Sequence, residues 1–341
     1  MDWADINPAP GQYNFAPLNS FLQKALSSGK QVVYTFGRPP QWASTKPSAA
    51  SPYGPGQCAP PVLSAWDQYV TAAVTNAAGR IKYWELWNEP DQPASYCGDI
   101  PSLVTLAQHA YAIIKKIDPS ATVLSPSACG ETGADWLNSF LNAGGLHTFD
   151  VVVFHGYQGA QAEQINAVVD DFRSVMIRQN LSNLPLWDTE CSWGNTDVGD
   201  DANRAAFVAK YFFLQWSKGV DRVIWYAYDG EPIWGRLIDA TGTLLPGGTA
   251  YGESYKWIIG ATLTQPCAQE QSGTWTCSIT RPGGYQAEIF WNSTSSQIIN
   301  AKAPSQMTDY RDLSGATHLI TNGTIPVQNL PILLETGVIP Q

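Results

Sequence analysis

Two stretches of the chain run through apolar and aromatic residues and then end on a glutamate: Glu89 in "YWELWNEP" (83–90) and Glu190 in "LPLWDTECSW" (184–193). Each reads as a strand, and Pro90 stops the first. The two glutamates are 101 residues apart, about three βα units of roughly 33 residues each. Three strands round a closed parallel barrel place two strand ends across its mouth. Carboxyl groups facing each other there at about 5 Å perform retaining glycoside hydrolysis, one protonating the leaving oxygen while the other attacks the anomeric carbon. A single strand-end glutamate would carry little, being more often an ion-pair partner or a helix-cap neighbour. Here Asn88 can hold a sugar hydroxyl, and His155 and Tyr157 end the strand between the two glutamates. Trp225, Tyr226 and Tyr228 end the last strand, where aromatic rings offer platforms for the apolar faces of sugars. Glu85, four residues before Glu89, is expected to be a buried partner of an arginine. Asp188, two before Glu190, is expected to support it.

The elements that must position these residues alternate along the chain. Strand candidates fall at 31–37, 81–89, 121–127, 149–157, 184–193 and 221–229. Amphipathic helical segments fall at 15–28, 65–78, 102–117, 135–143, 162–179, 201–218 and 249–259. This is the pattern of βα units and a parallel sheet. The long loops at 38–64, 90–101 and 229–247 follow strands, on the face where such folds build their sites. From 262 onward short alternating strands are separated by "PGG", "NST", "DLSG" and "TNGT". The expected organisation is an α/β domain of TIM-barrel type over 1–261 and a small β-sandwich-like domain over 262–341.

Composition narrows the function classes. With 29 acidic and 19 basic residues and a pI near 4.8, the chain lacks the basic footprint that phosphate backbones or anionic lipid would need, so neither nucleic acid nor membrane is an expected partner. No apolar run approaches the roughly 20 residues of a membrane span, and no signal-like segment precedes Asp2. Six cysteines contain no CxxC pair. Cys58 and Cys97 lie in Pro/Gly-rich loops, Cys267 and Cys277 flank a hairpin-like stretch, and each pair could form a disulfide; Cys129 and Cys191 read as strand-end thiols. With sequons at Asn180, Asn292 and Asn322, a secreted or extracytoplasmic protein is expected. The four histidines form neither H-x-H nor HExxH, and the Gly-Gly pairs lie outside a GxGxxG frame, so no metal or cofactor is expected.

"WELWNEP" (84–90), "FDVVVFHGY" (149–157), "LWDTECSW" (186–193) and the opening "DWADINPAPGQYNF" (2–15) resemble clan A of the retaining glycoside hydrolases. These are (β/α)8 barrels with catalytic glutamates on strands four and seven. Within the clan the chain is most similar to glycoside hydrolase family 39, which includes β-xylosidases and bacterial exopolysaccharide hydrolases; "IPVQNLPILLE" (325–335) resembles the last strands of its accessory β-domain. The resemblance implies that Glu89 is the acid/base and Glu190 the nucleophile. It implies that Asn88 contacts the hydroxyl next to the anomeric carbon, and that His155 and Tyr157 form the H-x-Y that shapes the nucleophile's surroundings. Trp225, with Tyr228 as second candidate, would lie under the sugar at the cleavage point, and Arg38 and Trp42 of "RPPQWAS" would line subsites. The acid/base role calls for a raised pKa at Glu89 in the free enzyme.

The count of strands departs from the family. "WNEP" should end the fourth strand, yet a single strand candidate precedes it, and the opening resembles the family's segment after the second strand. A barrel of about six strands, lacking the first βαβ unit, is therefore expected. Strands 31–37 and 221–229 would each keep an unpaired edge, and a homodimer covering the open side is the expected remedy. The expected function is retaining hydrolysis of β-linked glycosides or polysaccharides. Its rival is a carbohydrate-binding pseudoenzyme whose cleft lost turnover with the missing strands.

Overall fold

Short β-branched and aromatic runs become strands and the longer amphipathic stretches become helices. The structure, a computed structural model, describes residues 1–157, 159–230, 234–294 and 298–337. In chain order the first elements are α1 (Trp3–Ile6), α2 (Ala16–Ser27), β1 (Val33–Thr35), α3 (Leu63–Ala77), β2 (Tyr83–Glu85), α4 (Ile100–Ile117), β3 (Thr122–Leu124) and β4 (Ala128–Cys129). They continue with α5 (Gly130–Phe140), β5 (Val152–His155), α6 (Ile165–Arg178), β6 (Leu186–Cys191), α7 (Asp201–Ser217), β7 (Arg222–Trp225) and α8 (Pro246–Ile258). All six expected strands and all seven expected helices are present, with α1 and β4 in addition. Two compact units emerge: Met1–His155 with Asp171–Thr189, and Gly156–Asp170 with Glu190–Gln341. The division cuts β5 from the residues after it and runs through the end of β6.

In the first unit β1, β2 and β3 pair in parallel, with Thr35 opposite Glu85 and Glu85 opposite Leu124. A parallel bridge from Leu124 to Val151 leads on to β5, which also pairs with β4. The Val152 N–H then donates to the Pro185 carbonyl at 3.1 Å, just ahead of β6. Among the described residues no strand pairs with the other edge of β1. A groove of about 380 Å³ follows that edge, lined by Leu18, Phe21, Val32 and Phe36, with Arg38 and Asn88 also in its wall. Trp66, Tyr69, Val70, Ala73, Val74 and Ala77 of α3 are buried at helical spacing. Trp3 of α1 stacks on Tyr69 with ring centroids 4.5 Å apart, so the opening segment is part of the core. A disulfide joins Cys58 to Cys97 and ties the long loop after β1 to the loop after β2.

In the second unit the Gly156 N–H donates to the Glu190 carbonyl at 3.0 Å, and the Tyr226 N–H to the Cys191 carbonyl at 2.7 Å. These bonds bring the segment after β5, the end of β6 and the end of β7 together. Helix α7 packs on α8, where Phe213 and Trp257 stack. The remaining strands are β8 (Thr262–Gln269), β9 (Thr274–Arg281), β10 (Tyr285–Asn292), β11 (Ile299–Lys302), β12 (Asp309–Arg311), β13 (Thr317–Leu319), β14 (Thr324–Val327) and β15 (Ile332–Glu335). Six of them form one antiparallel sheet in the order β13-β12-β15-β10-β9-β8, and β11 pairs with β14. Phe290, Ile332 and Leu334 of the larger sheet pack with Ile325 and Val327 of the smaller, which is the sandwich the alternating pattern predicts. The Cys267–Cys277 disulfide staples the β8–β9 hairpin. No helix among the described residues is long and apolar enough to cross a membrane. Two disulfides are consistent with an oxidising, extracellular setting.

A buried ion pair links α7 to this sandwich. Lys210 Nζ lies 3.2 Å from a Glu163 oxygen and bonds Ser293 and Asn329, while Trp291 Nε1 donates to Glu163 at 2.9 Å. Removing one partner leaves the other charge buried and unpaired. Lys210→Ala is therefore expected to lower stability by about 3–5 kcal/mol, read as a fall in the urea midpoint. A loss below about 1 kcal/mol would mean that the pair behaves as a surface bridge.

Candidate active site

The site's first carboxylate is held by strand geometry. Trp84, Glu85, Leu86 and Trp87 are all buried, as expected for a parallel strand covered on both faces. Beyond β2 the chain stays paired with its neighbour: the Ser127 N–H donates to the Trp87 carbonyl at 3.0 Å and the Glu89 N–H to the Ser127 carbonyl at 2.9 Å. With its backbone fixed there, Glu89 adopts a left-handed φ of 46°, a conformation that costs a non-glycine residue about 1–3 kcal/mol and tends to occur at functional sites.

His155, buried at the end of β5, brings its Nδ1 to 3.0 Å from Glu89 Oε1. Of the H-x-Y of the sequence, His155 is hydrogen-bonded to Glu89 and Tyr157 to Glu190. The raised pKa expected at Glu89 is not what this arrangement produces. Burial pushes the carboxyl up, but the hydrogen bond and charge of His155, joined by the Cys129 thiol and the Arg38 charge, outweigh it and hold Glu89 below its ordinary value.

Glu85 has no arginine partner among the described residues, against expectation. Its Oε1 accepts hydrogen bonds from Thr35 Oγ1 at 3.1 Å and Ser127 Oγ at 3.0 Å, and lies 3.9 Å from His155 Nε2. The reason is register, which sets Thr35 opposite Glu85. Arg38 is engaged elsewhere: it pairs with Asp2 at 3.2 Å and its guanidinium lies 3.6 Å from the centre of the Tyr53 ring. Arg38 and Asn88 share the wall of the groove along β1. Trp42 donates its indole N–H to the Asn7 carbonyl at 3.0 Å.

In the second unit Tyr157 donates its hydroxyl to Glu190 Oε1 at 2.8 Å. The Tyr157 ring meets Trp234 edge-on, with centroids 5.8 Å apart, and Trp234 also contacts Tyr226. Gly194, with a φ of +58°, lets Tyr157 come close: a Cβ there would stand 3.1 Å from its ring. Trp225 is only 8% exposed, packed among Trp193, Phe207, Tyr211 and Phe212, with its N–H on the Gly235 carbonyl. Tyr228, beyond the end of β7, is 58% exposed.

Two participants escape sequence reasoning. Trp234 lies in the long loop after β7, where composition alone does not say which aromatic turns inward. Cys129 reads as an ordinary strand-end thiol, and its bond to Glu89 arises only from the way β4 continues past β3.

The family model described as "Glycosyl hydrolase catalytic core" matches residues 18–251. Among solved structures the chain is similar to a family 39 glycoside hydrolase from Bacteroides cellulosilyticus WH2, with a TM-score of 0.76 and 20% identity over 98% of this chain and 74% of that one. It is also similar to a glucosidase from Croceicoccus marinus (TM-score 0.67, 13% identity, 98% and 84% covered). A family 39 β-xylosidase from Caulobacter crescentus matches with a TM-score of 0.65 and 16% identity over 98% and 86%. At these identities the likeness establishes the fold, that of the TIM-barrel glycosidases. No curated protein matches the sequence.

Proposed function

Because the chain belongs to the glycosyl hydrolase catalytic core family and is a glycoside hydrolase, we propose that it cleaves β-linked glycosides with retention, using Glu89 as acid/base and Glu190 as nucleophile. One observation carries this assignment. Glu89 is hydrogen-bonded to His155 and Glu190 to Tyr157, and Gly156 alone separates these two partners in the chain. A run of three residues thus holds the partners of both carboxylates.

In the first step the Glu89 carboxylic acid gives its proton to the glycosidic oxygen as Glu190 forms a bond to the anomeric carbon and the aglycone departs. In the second, Glu89, now a carboxylate, takes a proton from water, which attacks the same carbon and releases Glu190. The Tyr157 hydroxyl on Oε1 orients the nucleophile. Asn88 is suited to the hydroxyl next to the anomeric carbon. The exposed ring of Tyr228 is the more open stacking platform, with Trp225 packed beneath the surface, and Arg38 and Trp42 would border the subsites. The β-xylosidase and the glucosidase among the similar structures make aryl β-xyloside and β-glucoside the first substrates to try, with galactoside, xylan and β-glucans beside them. The decisive experiment is alanine substitution of each glutamate in the presence of azide, since the two variants should yield glycosyl azides of opposite configuration.

The edge of β1 that pairs with no strand among the described residues, and the groove along it, support a second copy of the chain as cover. Light scattering at micromolar concentration is expected to give twice the chain mass of 37.1 kDa. A monomer would remove the dimer.

A further inference from the structure

A third carboxylate lies beneath Glu89 in the same unit. Glu85 is 1% exposed. Its Oε1 accepts from Thr35 and Ser127 and stands 3.9 Å from His155 Nε2, while its buried Oε2 has no hydrogen-bond partner among the described residues. Two hydroxyl donors leave a buried carboxylate under-satisfied, and the imidazole Nε2, beyond hydrogen-bond distance at 3.9 Å, feels its charge. The opposite nitrogen, Nδ1, is 3.0 Å from Glu89 Oε1. The same histidine therefore has a carboxylate hydrogen-bonded at Nδ1 and another 3.9 Å from Nε2. Within this unit the other groups acting on Glu89 are Arg38 and Cys129, and Asp91 senses its charge.

We propose that Glu85 is a positioning residue for the acid/base, acting through His155: its buried carboxylate keeps a hydrogen on Nε2, so that the one exchangeable proton of the pair lies between Nδ1 and Glu89. This inference rests on Glu89 being the acid/base. With Nε2–H secured, a neutral imidazole has a lone pair at Nδ1 and accepts from protonated Glu89, the state needed for leaving-group protonation. Without the charge of Glu85 a neutral His155 can move its hydrogen to Nδ1. It would then donate to a Glu89 carboxylate and disarm the acid.

The test separates acid catalysis from folding by leaving group. A dinitrophenyl glycoside departs without protonation, whereas a phenyl glycoside needs the acid. In Glu85→Gln, kcat/KM for the phenyl substrate is expected to fall at least about tenfold while the dinitrophenyl substrate stays within about twofold. Equal losses on both substrates, or no loss on either, would overturn the proposal. Glu89→Ala run alongside keeps the two claims distinct. If it lacks the leaving-group signature, the acid/base assignment fails; if it has the signature and Glu85→Gln does not, only the role of Glu85 fails. Should Glu85→Gln not fold, nitrogen NMR of the unaltered site decides, with His155 isolated by substituting His109, His147 and His318. A hydrogen on Nε2 of His155 is expected, and a bare Nε2 would overturn the assignment.

Discussion

Replacing Glu190 with alanine is expected to lower hydrolysis of an aryl β-glycoside by roughly 10⁵-fold, and azide is expected to restore aglycone release while leaving a glycosyl azide of inverted configuration. The first half follows from removing the group that forms the covalent bond, since Glu89 can still protonate but nothing attacks. The second follows from size: azide fits the space vacated by the carboxylate, attacks from that face, and its product is a dead end. The experiment reads aglycone release by absorbance and anomeric configuration by proton NMR. Residual activity near the starting level would exclude Glu190 as nucleophile. If the unaltered chain binds sugar by calorimetry yet turns over no substrate, the carbohydrate-binding pseudoenzyme takes the place of the enzyme.

Glu89→Ala is expected to behave differently. For a poor leaving group kcat/KM should drop by about 10²–10⁴-fold, whereas a dinitrophenyl glycoside should react with Glu190 almost as before. Its glycosyl-enzyme then waits for a base. Azide needs none, so it should capture that intermediate and give a glycosyl azide of retained configuration. The opposite stereochemistry from the two variants is hard to imitate by misfolding, because both products require a working cleft. An equal loss on both substrates, with no azide product, would remove Glu89 from the acid/base role. The contact with His155 matters here: it holds the Glu89 carboxyl below its ordinary value, so the proton needed in the first step depends on the state of that imidazole.

Much of the fold was legible in the residues. The six strand candidates and seven helices correspond to β1, β2, β3, β5, β6, β7 and α2 to α8, because a buried parallel strand needs a continuous apolar run and a helix needs a repeating apolar face. The sandwich could be read from turn residues between alternating runs. The pairings Cys58–Cys97 and Cys267–Cys277 were open to reading as well, since each pair lies in neighbouring loops or flanks a hairpin. A single strand candidate precedes "WNEP" in this sequence, and β1 pairs on one edge alone among the described residues.

Other features were beyond reach for a common reason. Glu85 looked like an arginine's partner because a buried carboxylate needs donors, but which donors it meets depends on the register of β1 against β2 and on Ser127 after β3. That Arg38 pairs with Asp2, 36 residues earlier, is likewise set by the fold and not by neighbouring positions. Trp225 and Tyr228 are both aromatic and three positions apart, yet one is packed among rings and the other exposed.

By itself the sequence determined the element order, the sandwich and the two strand-end glutamates, because hydrophobic period and residue type act over a few neighbouring positions. Only the tertiary structure decided that His155 serves Glu89, that Tyr157 serves Glu190, and that Glu85 stands behind His155. Those are hydrogen bonds and contacts between residues 30 to 70 positions apart, and their geometry exists only once neighbouring strands have paired in register.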